Sequence, residues 1–120
     1  MASGSPKRLL VVDDEAPVAQ VLGRMLVRLG FEAEVFTHPV EAVHAFLADP
    51  GRFDLLITDQ DMPHLKGFEL VGQLRSVRPD LPVLVATAGS LHSSLQGEPF
   101  LAKPYSMSAL ADMLERLLGE

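Results

Sequence analysis

Cysteine is absent from the 120 residues, which excludes disulfides and thiolate metal sites and fits a reducing compartment. No stretch approaches the roughly 20 apolar residues a membrane span needs, so membrane insertion is not expected. Met1–Pro6 is small and polar, without the apolar centre of a secretory signal. It reads as a disordered leader (residues 1–6) ahead of one domain (residues 7–120), and the cytoplasm is the expected location. Basic residues are the scarcer charge, 10 Lys and Arg against 16 Asp and Glu, for a net charge of −6. They are also scattered, whereas phosphate contacts need clusters, so direct nucleic-acid binding is not expected. An acidic domain suits a cation or a basic protein surface better.

What is present is ordinary for a globular domain. Hydrophobic residues make up 48% and charged residues 22%, too apolar for disorder and enough for a single core. Short apolar runs alternate with amphipathic segments. Leu9-Leu10-Val11-Val12 stops at two aspartates, as a buried parallel strand does. Val18, Val21, Leu22, Met25, Leu26 and Leu29 then repeat at helical spacing, and Gly30 supplies a helix end. Glu32–Phe36 predicts a more polar strand at a sheet edge. The next helix has Pro39 in its first turn and an inner stripe of Val43, Phe46 and Leu47. Phe53–Thr58 predicts a third strand, and Phe68, Val71, Leu74 and Val77 a helix after it. Pro82–Ala86 predicts a fourth strand and Phe100–Ala102 a brief fifth. Ser106 is a plausible N-cap for a last helix carrying Leu110, Met113, Leu114 and Leu117. Between Gly89 and Glu98 only Leu91 and Leu95 are apolar, which predicts one short helical piece or an irregular loop. Five strands and about five helical segments make a doubly wound α/β domain with a parallel sheet.

In such folds ligands bind outside the carboxyl ends of the strands. The residues there are Asp13 and Asp14, then Asp59, Thr87 and Lys103. Three carboxylates brought together repel one another unless a cation sits among them. A hard divalent ion held by carboxylates, water and a phosphate oxygen is the usual solution, and Mg2+ fits best. Lys103 adds a fixed positive charge and Thr87 a hydroxyl, which together suit a phosphoryl group. Asp59, at the end of a central strand, is the natural carboxylate nucleophile. Asp13 and Asp14 would hold the metal, with the backbone carbonyl of Asp61 completing its shell. Singly these residues have plainer readings. The Asp13-Asp14 pair can cap a helix, Asp59 and Asp61 can be turn residues, and Thr87 or Lys103 can be unremarkable at a strand end. Four of them in order at four strand ends are not explained that way. His38, His44, His64 and His92 share no ligand spacing and read as surface residues.

Val11-Val12-Asp13-Asp14-Glu15, Leu56-Ile57-Thr58-Asp59-Gln60-Asp61-Met62-Pro63, Ala86-Thr87-Ala88 and Lys103-Pro104-Tyr105 resemble the receiver domain of two-component response regulators, from about Lys7 to the C-terminus. The resemblance implies a flavodoxin-like fold and transfer of a phosphoryl group to Asp59, with Mg2+ bound, from a histidine kinase or phosphotransfer protein. It also implies a cis peptide between Lys103 and Pro104. Phe100 stands where many receivers carry an aromatic that rotates on activation, with Thr87 as the other switch residue. Asp61 stands where the family tunes the lifetime of its acyl phosphate. The distance from Thr87 to Lys103 is 103 − 87 = 16 positions, shorter than receivers usually show, so a shortened fourth helix is expected. The Gln60-Asp61-Met62-Pro63 turn and that short segment lean toward the receiver of a hybrid sensor kinase, and a homodimer is open as an assembly state. Two other functions compete. Asp59-Gln60-Asp61 has the Asp-Xaa-Asp spacing of haloacid-dehalogenase phosphatases, but those place it after the first strand and need a longer chain. A receiver-like binding module without phosphorylation would have no use for the full Asp, Thr and Lys set. Flavin binding is disfavoured by the acidic first loop.

Overall fold

The Leu9–Val12 run forms most of β1 (Arg8–Val12), and in the computed structural model, which describes residues 6–119, its four side chains are at most 1% exposed. Its side chains alternate between two cores, as strand geometry requires. Leu10 and Val12 join a cluster with Phe46, Phe53, Leu70 and Leu74, while Leu9 and Val11 join Leu22, Leu26, Leu110 and Leu114. One strand thus feeds both faces, which is why it is apolar without alternation.

The remaining elements are α1 (Ala16–Arg28), β2 (Glu32–Phe36), α2 (Pro39–Ala48), β3 (Leu55–Thr58), α3 (Gly67–Val77), β4 (Val83–Thr87), β5 (Phe100–Ala102) and α4 (Met107–Leu118). The sheet is parallel throughout, in the order β2-β1-β3-β4-β5. Helices α1 and α4 cover one face, and α2 and α3 the other. This is the doubly wound architecture the sequence predicts, with β2 at an edge. The direction of winding reverses between β1 and β3, and that crevice is where ligands bind in such sheets.

The helix ends follow local chemistry. Pro17 and Pro39 lie in the first turns of α1 and α2, where a missing N–H is tolerated. Gly30 takes φ 98° just past α1, and the Ser106 hydroxyl accepts the Ala109 N–H at 3.0 Å to cap α4. Leu47, assigned to an inner helix stripe, is instead 47% exposed, and Val21 and Val77, which keep the helical spacing, are 49% and 50% exposed. Each sits on the flank of its stripe. β3 begins two residues later than predicted: the Arg8 N–H bonds the Asp54 side chain at 2.8 Å and Arg78 donates to the Phe53 carbonyl, while the Phe53 ring is buried beside Phe46.

Between β4 and β5 the one short helical piece expected there is a single 3-10 turn, Ser93–Leu95, and no α-helix forms; the described residues contain four α-helices and two 3-10 turns, the other at Pro50–Arg52. Gly89, Gly97, three serines and only two leucines cannot sustain a nucleated helix with a buried stripe. Leu95 alone is buried and pins the segment to the α3 face. Most of the leader expected over residues 1–6 lies outside the described residues. No described helix is long and apolar enough to cross a membrane.

Candidate functional site

Strand register assembles the site. Val12 pairs with Thr58 across β1 and β3, so the next residues, Asp13 and Asp59, emerge side by side. Their positions are locked by main-chain bonds, from Asp59 N–H to the Val12 carbonyl and from Asp13 N–H to the Phe36 carbonyl, both 3.1 Å. On the other side Thr87 pairs with Ala102, and the Lys103 N–H donates to the Thr87 carbonyl at 3.0 Å. The predicted cis peptide joins Lys103 to Pro104.

The Lys103 ammonium reaches Asp13 at 2.7 Å and Asp59 at 3.1 Å. Asp13 is 2% exposed; its other oxygen accepts the Glu15 N–H at 3.0 Å. The capping alternative therefore holds in a limited sense: Asp13 does bond the start of α1, but the cap position itself is Glu15. Asp14 completes the cluster, with one oxygen each from Asp13, Asp14 and Asp59 within 4.8 Å of one another. Three carboxylates against one ammonium make a set of hard anionic oxygens, the donor chemistry of Mg2+ or Ca2+ and not of a thiolate- or imidazole-bound metal. Lys103 keeps its proton more tightly than an ordinary lysine. Burial works against the charge, but the hydrogen bonds and attraction of Asp13 and Asp59 outweigh it. Tyr105 is also raised, chiefly by burial, with Lys103 opposing and Asp13 adding to the shift.

Around this cluster lies an open cleft of about 240 Å³, lined by Asp14, Glu15, Asp59, Asp61, Thr87, Ala88, Gly89 and Lys103. Thr87 is 1% exposed, and among the described residues its hydroxyl has one long bond, 3.4 Å from Gly89 N–H, leaving it available to a ligand. Asp61 is exposed on the cleft wall. Phe100 is not part of the cleft; it stands on β5 with 37% exposure. Of the histidines, His44, His64 and His92 are exposed, whereas His38 is half-buried and stacks on His64 at 4.7 Å.

Two residues near the site were not anticipated. Gln60 is 5% exposed, and its main-chain N–H donates to Asp59 Oδ1 at 2.7 Å. Gly67 lies so close to the turn that an added Cβ would sit 2.6 Å from the Asp59 carbonyl oxygen and the Gln60 Cα. A glycine four residues past Pro63 was a visible signal for such a close approach. A single amide beside two acids was not.

Among known families, residues 9–115 match the model of the response regulator receiver domain. The chain belongs to this family. It is a receiver domain of two-component signal transduction, and the phosphatase and unphosphorylated-module alternatives are not favoured. The response regulator MprA of Mycobacterium avium (strain 104) is 38% identical over 117 residues, covering 92% of this chain and 50% of MprA. The chain thus spans about half the length of such curated relatives. Among solved structures, the response regulator TrrA of Thermotoga maritima, in complex with Mg(2+)-BeF, is 30% identical, with TM-score 0.84 over 92% of this chain and 98% of TrrA. The receiver domain of the sensor histidine kinase PA1611 of Pseudomonas aeruginosa PAO1, which has a magnesium ion in its active-site cleft, is 26% identical with TM-score 0.84, covering 97% of this chain and 100% of that one.

Proposed function

We propose that this receiver accepts a phosphoryl group on Asp59 from a histidine kinase or phosphotransfer protein. The observation that carries the reading is the junction of Asp13, Asp14, Asp59 and Lys103 at the switch point of the sheet, beside a cleft that includes Thr87. An oxygen of Asp59 forms a new P–O bond as the P–N bond of the donor phosphohistidine breaks. The imidazole nitrogen keeps the electron pair and takes up a proton. Lys103 counters the charge of Asp59 and of the arriving phosphoryl oxygens, and the Thr87 hydroxyl donates to one of those oxygens. Asp13, Asp14 and Asp59, with the main-chain carbonyl of Asp61, would hold Mg2+. When bound, the metal neutralises charge on the transferring phosphoryl group. Attack of water on phosphorus later releases inorganic phosphate and restores the carboxylate. The domain catalyses its own transfer and hydrolysis, but its role is that of a switch with Thr87 and Phe100 as moving parts.

The likeness to the PA1611 receiver supports a hybrid-kinase setting, and a cytoplasmic location follows from the kinase partner. The scattered basic residues support protein contacts and not nucleic-acid contacts for this domain. Incubation with a small phosphodonor and Mg2+, read by intact mass, tests the proposal. The chain should gain one phosphoryl group and Asp59→Asn none; a wild-type protein that gains no mass and binds no beryllofluoride would overturn it.

A further inference from the structure

The segment between β4 and β5 has lost its α-helix, yet one side chain fastens it to the turn that carries Asp59. Gln60 Oε1 accepts the His92 N–H at 2.8 Å, and its Nε2 donates to the Ser90 carbonyl. Both ends of a single buried amide are thus spent on main-chain atoms of a segment 30 and 32 positions away. The main chain of Gln60 faces the other way. Its N–H donates to Asp59 Oδ1 at 2.7 Å, and its carbonyl accepts the Gly67 N–H at 2.9 Å. With no space for a Cβ at Gly67, the turn is clamped between the start of α3 and the Asp59 carboxylate.

We infer that Gln60 is a positioning residue that couples the state of Asp59 to the conformation of residues 89–98, an inference that rests on the phosphorylation reading above. A carboxylate oxygen sharing a full negative charge is a strong acceptor for the Gln60 N–H. Once a P–O bond forms at Asp59, that charge moves to the phosphoryl oxygens, and the acceptor facing Gln60 changes in strength and position. The peptide plane of Gln60 responds, and the amide fork passes the change to Ser90 and His92. The rest of the segment is held by other contacts: Leu95 is buried, and Glu98 pairs with Arg75. Its far end therefore stays docked while its near end answers to Gln60.

The test is amide hydrogen exchange of the full chain in Mg2+, with and without beryllofluoride, for wild type, Gln60→Leu and Gln60→Glu. Gln60→Leu removes both bonds of the fork. It should speed exchange at residues 90–92 about tenfold without beryllofluoride, the loss expected for about one hydrogen bond. It should also erase the beryllofluoride-induced change in residues 89–98. Gln60→Glu keeps the acceptor for His92 but turns an oxygen against the Ser90 carbonyl. It should also speed exchange at residues 90–92 and weaken the beryllofluoride-induced change, a second reading if the leucine variant folds poorly. Phosphoryl mass gain is read on separate aliquots of the same three proteins, given a small phosphodonor and Mg2+ without beryllofluoride, since the Gln60 side chain does not line the cleft. A beryllofluoride-induced change that survives in both variants, with mass gain intact, overturns the coupling alone. A wild-type chain that gains no mass overturns the phosphorylation reading and the coupling with it.

Discussion

The ammonium nitrogen of Lys103 lies 2.7 Å from a carboxylate oxygen of Asp13, joining residues 90 positions apart. β3 and β4 stand between their strands in the sheet, so the bond spans the mouth of the cleft. Asp13 is 2% exposed, and Lys103 supplies its only side-chain counter-charge among the described residues. In Lys103→Met this buried carboxylate is left with the Glu15 N–H alone. The expected loss is about 2 kcal/mol, below the roughly 3–5 kcal/mol for a fully buried pair because the lysine side chain keeps 16% exposure. Urea unfolding measures it, and an unchanged midpoint would show that the bond contributes nothing net.

Magnesium should act in the opposite sense to that loss. The cluster of Asp13, Asp14 and Asp59 carries two more negative charges than Lys103 balances, so a divalent ion that binds only the folded state stabilises it. The gain is about 2.7 kcal/mol at a concentration a hundred times Kd. Asp14→Asn relieves repulsion without metal and removes a ligand with it. Its melting temperature should therefore be equal to or above wild type in chelator and below wild type in magnesium. The same ordering in both buffers would count against Asp14 as a ligand.

Much of this site was legible because a buried parallel strand ends abruptly where the chain meets water. The run through Val12 stops at Asp13, and the one through Thr58 stops at Asp59, so acids at those positions mark one sheet edge. What register adds is adjacency: Val12 opposite Thr58 turns two separate acids into neighbours. Gln60 was not legible. Its partners are a carbonyl and an N–H in a distant segment, and main-chain atoms leave no trace in residue identity. Leu47 was misread as inner because a period of 3.6 carries an apolar stripe round to the helix flank, where a side chain is half covered, as Val21 and Val77 also are. The Gly89 to Glu98 composition forecast weak helicity, and its collapse to one 3-10 turn is the limit of that trend.

Asp61 gives a kinetic prediction. Its carboxylate stands exposed on the cleft wall beside Asp59, where it can orient a water and accept its proton during hydrolysis of the acyl phosphate. Asp61→Asn keeps the main-chain carbonyl and removes that base. The phosphorylated lifetime should lengthen by about threefold or more, followed by intact mass after removal of the phosphodonor. Equal rates of phosphate release in the two proteins would remove Asp61 from the hydrolytic step.

Phe100 offers an optical readout of the switch. It begins β5 with 37% exposure, so a larger aromatic there should alter stability by no more than about 0.5 kcal/mol. The chain contains no tryptophan, and Phe100→Trp therefore introduces a single indole that can be excited apart from Tyr105. If the ring moves inward when Thr87 turns to a phosphoryl group, emission should shift to the blue and iodide quenching should fall on adding beryllofluoride and Mg2+. Emission that stays unchanged while the protein binds beryllofluoride would exclude Phe100 as a moving part.

Tyr105 is the chain's only tyrosine, which makes its ionisation readable by absorbance without assignment. Burial holds its proton beyond the ordinary tyrosine range; Lys103 pulls the other way, and Asp13 adds to the rise. The folded state thus binds this proton more tightly than the unfolded chain, and the same holds for the proton on Lys103. Their stabilisation is complete below the unfolded values of about 10 to 10.4 and is lost as pH climbs through the higher folded values. Two results should follow. The urea midpoint should fall in the alkaline limb above about pH 10, and the phenolate band should appear at higher pH in native protein than in denaturant. Lys103→Met, which deletes the one charge favouring phenolate, should move the native titration higher still. Coincident native and denatured titrations would show that Tyr105 is better solvated than its packing against the core of Leu9, Leu22 and Leu110 implies.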